Sequence, residues 1–175
     1  MSPTANNFLI SLKIMSGRSP DRIKDVLASM RPEVEWLGIS SVYRVLRKAE
    51  SLQGLRFIRG EEVLDGFSCV VRGTGAIDPQ SLLNHIQKIE REMSDQKLKR
   101  TVSVNCLVYG TQVIRTPPLT LPHPEFHMNP EEVIPAAEVW PDYNHPILNK
   151  TMSDLANSFQ DLSWGEYYGP GKEYL

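Results

Sequence analysis

Residues 101–114 read TVSVNCLVYGTQVI, and the reading of this stretch decides the fold. Val102, Val104, Cys106 and Val108 alternate with Ser103, Asn105, Leu107 and Tyr109. A period of two is that of a β-strand with one face buried. The even face is apolar throughout. The odd face begins with a hydroxyl and an amide two residues apart, so both point the same way from a strand that reads as central. Gly110-Thr111 then opens a turn toward a short partner at 112–114.

Working upstream, residues 79–93 predict the best helix in the chain. Asp78 stands at its N-cap, Pro79 at its first position, and Leu82, Leu83, Ile86, Ile89 and Met93 form one apolar stripe. The polar loop SDQKLKR (94–100) joins it to the opening strand. DGFSCVVRGTG (65–75) and FLISLKI (8–14) predict two further strands, and VEWLGISSVYRVL (34–46) a single strand bent at Gly38. Between the first two of these in chain order, Ser19, Pro20 and Asp21 open a helix. Its buried face is Ile23, Val26, Leu27 and Met30, and Pro32 ends it. Residues 46–64 are charged and irregular, long for a plain connection. Downstream, the prolines of TPPLTLPHPEFHMNP (116–130) exclude regular structure, and a last helix is expected over 149–159.

Strand-helix-strand twice over, with a hairpin, predicts an α+β ferredoxin-like sandwich: an antiparallel sheet with helices on one face. The domain is expected over 1–160, with 161–175 as an aromatic, glycine-rich C-terminal tail. A doubly wound sheet is disfavoured, since KIMSGRSPDR (13–22) is no G-x-G-x-x-G turn.

A length of 175 residues allows one domain with a real core. With 19 basic and 21 acidic residues, there is no strong pull toward nucleic acid or an anionic membrane. QKLKR (96–100) lacks the interleaved aromatics of a nucleic-acid patch. Cys69 and Cys106 lie in apolar runs and read as buried reduced thiols. The start, MSPTANNFLI, carries neither a basic flank nor a long apolar run, and no segment reaches the ~20 apolar residues of a membrane helix. A cytoplasmic protein is the expectation. His123, Glu125 and His127 do not read as a metal site, because Pro122, Pro124 and Pro130 deny them one helical face.

ISSVYRV (39–45), GAIDPQSLLNHIQKIE (75–90), the strand ending LVYG (107–110), LTLPHPEF (119–126) and VWPDY (139–143) fall in an order and spacing that resembles the 6-hydroxymethyl-7,8-dihydropterin pyrophosphokinase family, HPPK, of folate biosynthesis. The resemblance runs over about residues 8–158 and implies the same fold. It also implies ATP-dependent transfer of pyrophosphate to a pterin hydroxymethyl group, helped by two Mg²⁺ ions that offset phosphate charge. The family holds them on two aspartates at alternate positions of one strand, about 7 Å apart. Those positions fall here on Ser103 and Asn105. The pterin-reading asparagine falls on Ser68, the first-strand Gly-Ser-Asn-Leu on residues 13–16, and the basic residue of the Arg-x-Phe element near Asn129 and Glu131. Tyr43-Arg44, Glu90, Arg100 and His123 match. Arg100 and His123 are the residues implied to touch nucleotide phosphate.

Three functions remain open from the sequence. One is a degenerate family member without pyrophosphoryl transfer, kept for binding a small molecule or a protein, with no cofactor expected. The second is an active pyrophosphokinase using ATP and Mg²⁺, with acids drawn from Glu61, Glu62, Asp95 or Glu125. The third is a repurposed enzyme that turns His123 and Arg100 on another phosphate or ring compound.

Overall fold

The computed structural model describes residues 5–15, 19–47, 63–94 and 102–175. A six-stranded antiparallel sheet carries helices on both faces. Its strands are β1 (Asn6–Met15), β2 (Glu35–Ile39), β3 (Val42–Arg47), β4 (Val63–Gly75), β5 (Val102–Tyr109) and β8 (Gly165–Gly169), in the order β5-β1-β4-β3-β8, with β2 also on β4. Helices α1 (Arg22–Met30) and α2 (Pro79–Met93) bury Ile23, Val26, Leu27, Met30, Leu82, Ile86 and Ile89 against one face. Each stripe repeats every three or four residues, which is what a helix laid on a sheet requires. Asp78 caps α2 by accepting from Gln80 and Ser81 N–H, both at 3.0 Å.

The opposite face is also covered. Helices α3 (Pro130–Val139) and α4 (Met152–Asn157) pack Val133, Ala136, Met152 and Leu155 on Leu9, Val70, Leu107 and Val108. This corrects the expectation of helices on one face. Helix α3 begins inside the proline-rich stretch. Asn129 accepts from Glu131 N–H, Pro130 takes the first position where no N–H is needed, and Glu131 and Glu132 face the positive end of the dipole. Upstream, β6 (Ile114–Thr116) and β7 (Leu119–Leu121) form a small hairpin with each other. Residues 112–114 therefore do not pair back onto β5, as the sequence had implied.

Three strand expectations change. β5 is an edge, not a central strand: its sheet partner among the described strands is β1. The edge is nonetheless covered. Glu90 of α2 accepts from Val104 N–H at 2.9 Å, and His123 N–H donates to Leu107 carbonyl at 2.7 Å. The alternation of β5 also breaks, because a register shift between Leu9 and Ile10 sends Leu107 and Val108 to the same face and Tyr109 to the other. Finally, residues 34–46 form two strands end to end along β4. Ser40 bridges the break: its N–H donates to Val70 carbonyl and its Oγ accepts from Val70 N–H, each at 2.9 Å. Residues 165–169 of the expected tail form β8 against β3.

Candidate ligand cleft

The site is built on two rows of side chains that cross the sheet beneath α3. In the first, Ser103 of β5, Lys13 of β1, Ser68 of β4, Tyr43 of β3 and Tyr167 of β8 are successive register partners. In the second, Asn105 pairs with Ser11 and Ser11 with Val70. Ser103 and Asn105 therefore share a face, as the period of two requires, while Val102, Val104 and Cys106 pack into the core under α1 and α2.

Helix α3 lies across these rows and is tied to them by carboxylates. Glu131 pairs with Lys13. Glu132, only 4% exposed, accepts from Ser11 Oγ at 3.1 Å. Glu138 accepts from Tyr43 Oη, and its other oxygen accepts from Ser41 N–H at 2.8 Å. A buried carboxylate is tolerated only when donors satisfy it, so the Ser11 hydroxyl permits Glu132 to face the sheet. Burial pushes the Tyr43 phenol well above its ordinary range, and the neighbouring Glu138 carboxylate adds to the rise. Burial alone pushes Cys69 and Cys106 up to about 12, so both remain thiols.

Beside this latch lies an open cleft of about 370 Å³, lined by Lys13, Asn105, His123, Glu125, Asn129 and Glu132, with Met128 at its side. That volume is within the usual ~300–1,000 Å³ of small-molecule sites. His123 reaches it because its own N–H is fastened to β5, and its buried Nδ1 has no hydrogen-bond partner among the described residues.

Of the residues the sequence singled out, Asn105, His123, Glu125 and Asn129 meet in this cleft. Ser103 and Ser68 flank Lys13 in the first row. Ser68 is fully buried, and its Oγ has no partner among the described residues. Arg100 and most of the 46–64 stretch lie outside the described residues. Glu90 holds the edge of β5, and Arg44 stands over the rings of Phe67 and Tyr168 at 5.9 and 5.4 Å. Sequence reasoning did not reach Ser11, Glu132 or Glu138. The cap of α3 was legible in NPEE (129–132), but its partners are distant in the chain.

The family model for 7,8-dihydro-6-hydroxymethylpterin-pyrophosphokinase (HPPK) matches residues 16–141. A 2-amino-4-hydroxy-6-hydroxymethyldihydropteridine pyrophosphokinase of Aquifex aeolicus is 29% identical over 142 residues, which are 77% of this chain and 82% of the relative. One of Haemophilus influenzae is 28% identical over 55% of this chain and 62% of its own length. Among solved structures, Plasmodium falciparum HPPK-DHPS with pterin and p-hydroxybenzoate superposes with a TM-score of 0.66 at 14% identity. That similarity covers 90% of this chain and 42% of the longer Plasmodium chain, and it speaks for the fold.

Proposed function

Given that the chain belongs to the HPPK family, we propose that it is a member whose cleft binds a small molecule without running metal-dependent pyrophosphoryl transfer. The observation that carries this is the first row of the sheet. Lys13 is the direct neighbour of Ser103, one of the two positions aligned with the family's metal carboxylates.

The donor set does not fit a pair of Mg²⁺ ions. A hydroxyl at Ser103 and an amide at Asn105 bring no negative charge, whereas Mg²⁺ is held through carboxylates and substrate phosphates. The register partner of Ser103 is Lys13, which brings a cation rather than a carboxylate to this row and spends it on Glu131. Among the described residues, no three His, Cys, Asp or Glu side chains stand together in a metal-binding group. Glu132 of α3 also lines the cleft, together with Glu125, and both carboxylates repel a polyphosphate that arrives without metal.

A second reading has one observation in its favour. Glu125 and Glu132 both line the cleft with Asn105, so acids from outside β5 stand near a family substrate site. In that reading the chain is an active pyrophosphokinase of folate biosynthesis using ATP and Mg²⁺.

Calorimetry of the pure protein with Mg²⁺ and a non-hydrolysable ATP analogue separates the two. The expected result is no metal-dependent binding, and no pterin pyrophosphate in a parallel assay with a His123→Ala control for host enzyme. Tight Mg²⁺-dependent nucleotide binding together with product formation selects the second reading.

A further inference from the structure

Glu132 is almost wholly buried, at 4% exposed, yet it lines the open cleft of about 370 Å³. Its hydrogen-bond donor among the described residues is the Ser11 hydroxyl, at 3.1 Å. A carboxylate so far removed from water ordinarily has several donors or a cation beside it. A hydroxyl supplies a hydrogen bond but no charge, so the negative charge of Glu132 is left facing the cleft without a counter-ion among the described residues.

The cation that lines the cleft does not fill this role. Lys13 is paired with Glu131, and Asn129 Nδ2 holds the same Glu131 oxygen in place from 3.2 Å. The rest of the lining adds acceptors. Glu125 brings a second carboxylate at the exposed rim. Asn105, the register partner of Ser11, brings an amide oxygen. His123 brings a buried Nδ1 with no partner among the described residues, and in one neutral tautomer that nitrogen accepts an N–H.

A metal ion is a poor match for this set. His123, Glu125 and Glu132 share the cleft, but no three His, Cys, Asp or Glu side chains among the described residues converge as a metal-binding group. Acceptors spread along a space of small-molecule size suit an extended cation, whose separate N–H groups can meet separate partners.

We propose that the cleft takes a small organic cation of the aliphatic diamine class, one ammonium drawn to the buried Glu132 and the other to Glu125 at the rim. This rests on the reading of the cleft as a small-molecule site and gives the class of molecule bound there. Glu132 is then a specificity-determining residue, which turns the cleft from anions toward cations.

The test is a calorimetric titration of the full chain with diaminobutane. It is run in chelator, without nucleotide and at low ionic strength, because salt screens the attraction. Wild type is expected to saturate below about 1 mM and to bind diaminobutane at least about tenfold more tightly than butylamine, which carries a single charge. Glu132→Gln keeps the shape and an acceptor for Ser11 but removes the charge, and is expected to bind diaminobutane at least about tenfold more weakly. Three results overturn the proposal: no saturation by wild type, equal affinity for the diamine and butylamine, or unchanged diamine affinity in Glu132→Gln. Metal-free binding of inorganic pyrophosphate as tight as that of the diamine overturns it as well. If Glu132→Gln does not fold, Glu125→Gln at the exposed rim carries the test: weaker diamine binding supports the proposal and unchanged binding overturns it. Because no metal or nucleotide is present, failure here is distinct from the calorimetric outcome on pyrophosphoryl transfer.

Discussion

Lys13 and Ser103 are direct partners across β1 and β5, so a cation stands beside the first of the two aligned metal positions. An aspartate introduced at Ser103 therefore meets Lys13 before it meets a metal. An opposite-charge cross-strand pair contributes about 0.2–1 kcal/mol and withdraws the new carboxylate from coordination. Ser103→Asp/Asn105→Asp is expected to give at most a small rise in melting temperature with Mg²⁺ and an ATP analogue. Adding Lys13→Ser is expected to enlarge that rise, because two carboxylates without a neighbouring cation bind the metal and are stabilised by it. Thermal melts in chelator and in Mg²⁺ measure both. A larger shift in the double than in the triple variant would contradict the role given to Lys13.

Ser11 and Glu132 test how α3 is held on the sheet. Ser11 Oγ donates to a carboxylate that is almost wholly buried. Hydrogen bonds to charged groups contribute about 1.5–3 kcal/mol, and more is lost when the charge stays behind unpaired. Ser11→Ala is expected to lower the unfolding free energy by roughly that amount in urea. Combining it with Glu132→Leu, which removes the stranded charge, is expected to recover part of the loss. A Ser11→Ala protein as stable as wild type would show that Glu132 draws no support from Ser11.

His145 carries a pH dependence with a definite sign. Its Nδ1 accepts from the N–H groups of Ile147 and Leu148 at 3.3 and 3.2 Å, which holds the ring neutral, and its ring stacks on Phe126. Burial lowers its pKa below the usual histidine value, and the nearby His127 adds to the fall. The unfolded chain then binds a proton first as pH drops. The stability tied to this ring is complete above about pH 6.5 and is lost as pH falls from there through the lower folded value. Melts between pH 8 and 5 are expected to show a steeper acid loss for wild type than for His145→Gln. Parallel curves would remove His145 as the cause.

Gly66 tests the backbone at the end of β1. It has φ 142°, and a Cβ there would lie 2.0 Å from the carbonyl oxygen of Ile14. Neither strain nor overlap can be relieved without moving β1 away from β4. Gly66→Ala is expected to cost more than about 2 kcal/mol, read as a fall in melting temperature or loss of soluble protein. A near-native melt would mean that the β1–β4 register yields locally.

What was legible in the sequence was whatever depends on neighbours a few residues apart. The alternation of 102–106 placed Ser103 and Asn105 on one face, because a strand repeats every two residues whatever it pairs with. The stripes of α1 and α2 and the Asp78 cap are local in the same sense. The tertiary structure decided the rest. β5 became an edge because sheet order is set by which apolar faces pack together across the whole chain, and its alternation failed at Leu107 because a bulge is a property of the pair of strands. Ser11 meets Glu132, and Lys13 meets Glu131, more than a hundred positions away. Residues 13 and 131 each look like a solvated charge when read alone. Only the packing of α3 over the sheet brings them together, beside the cleft that Asn105 and His123 line.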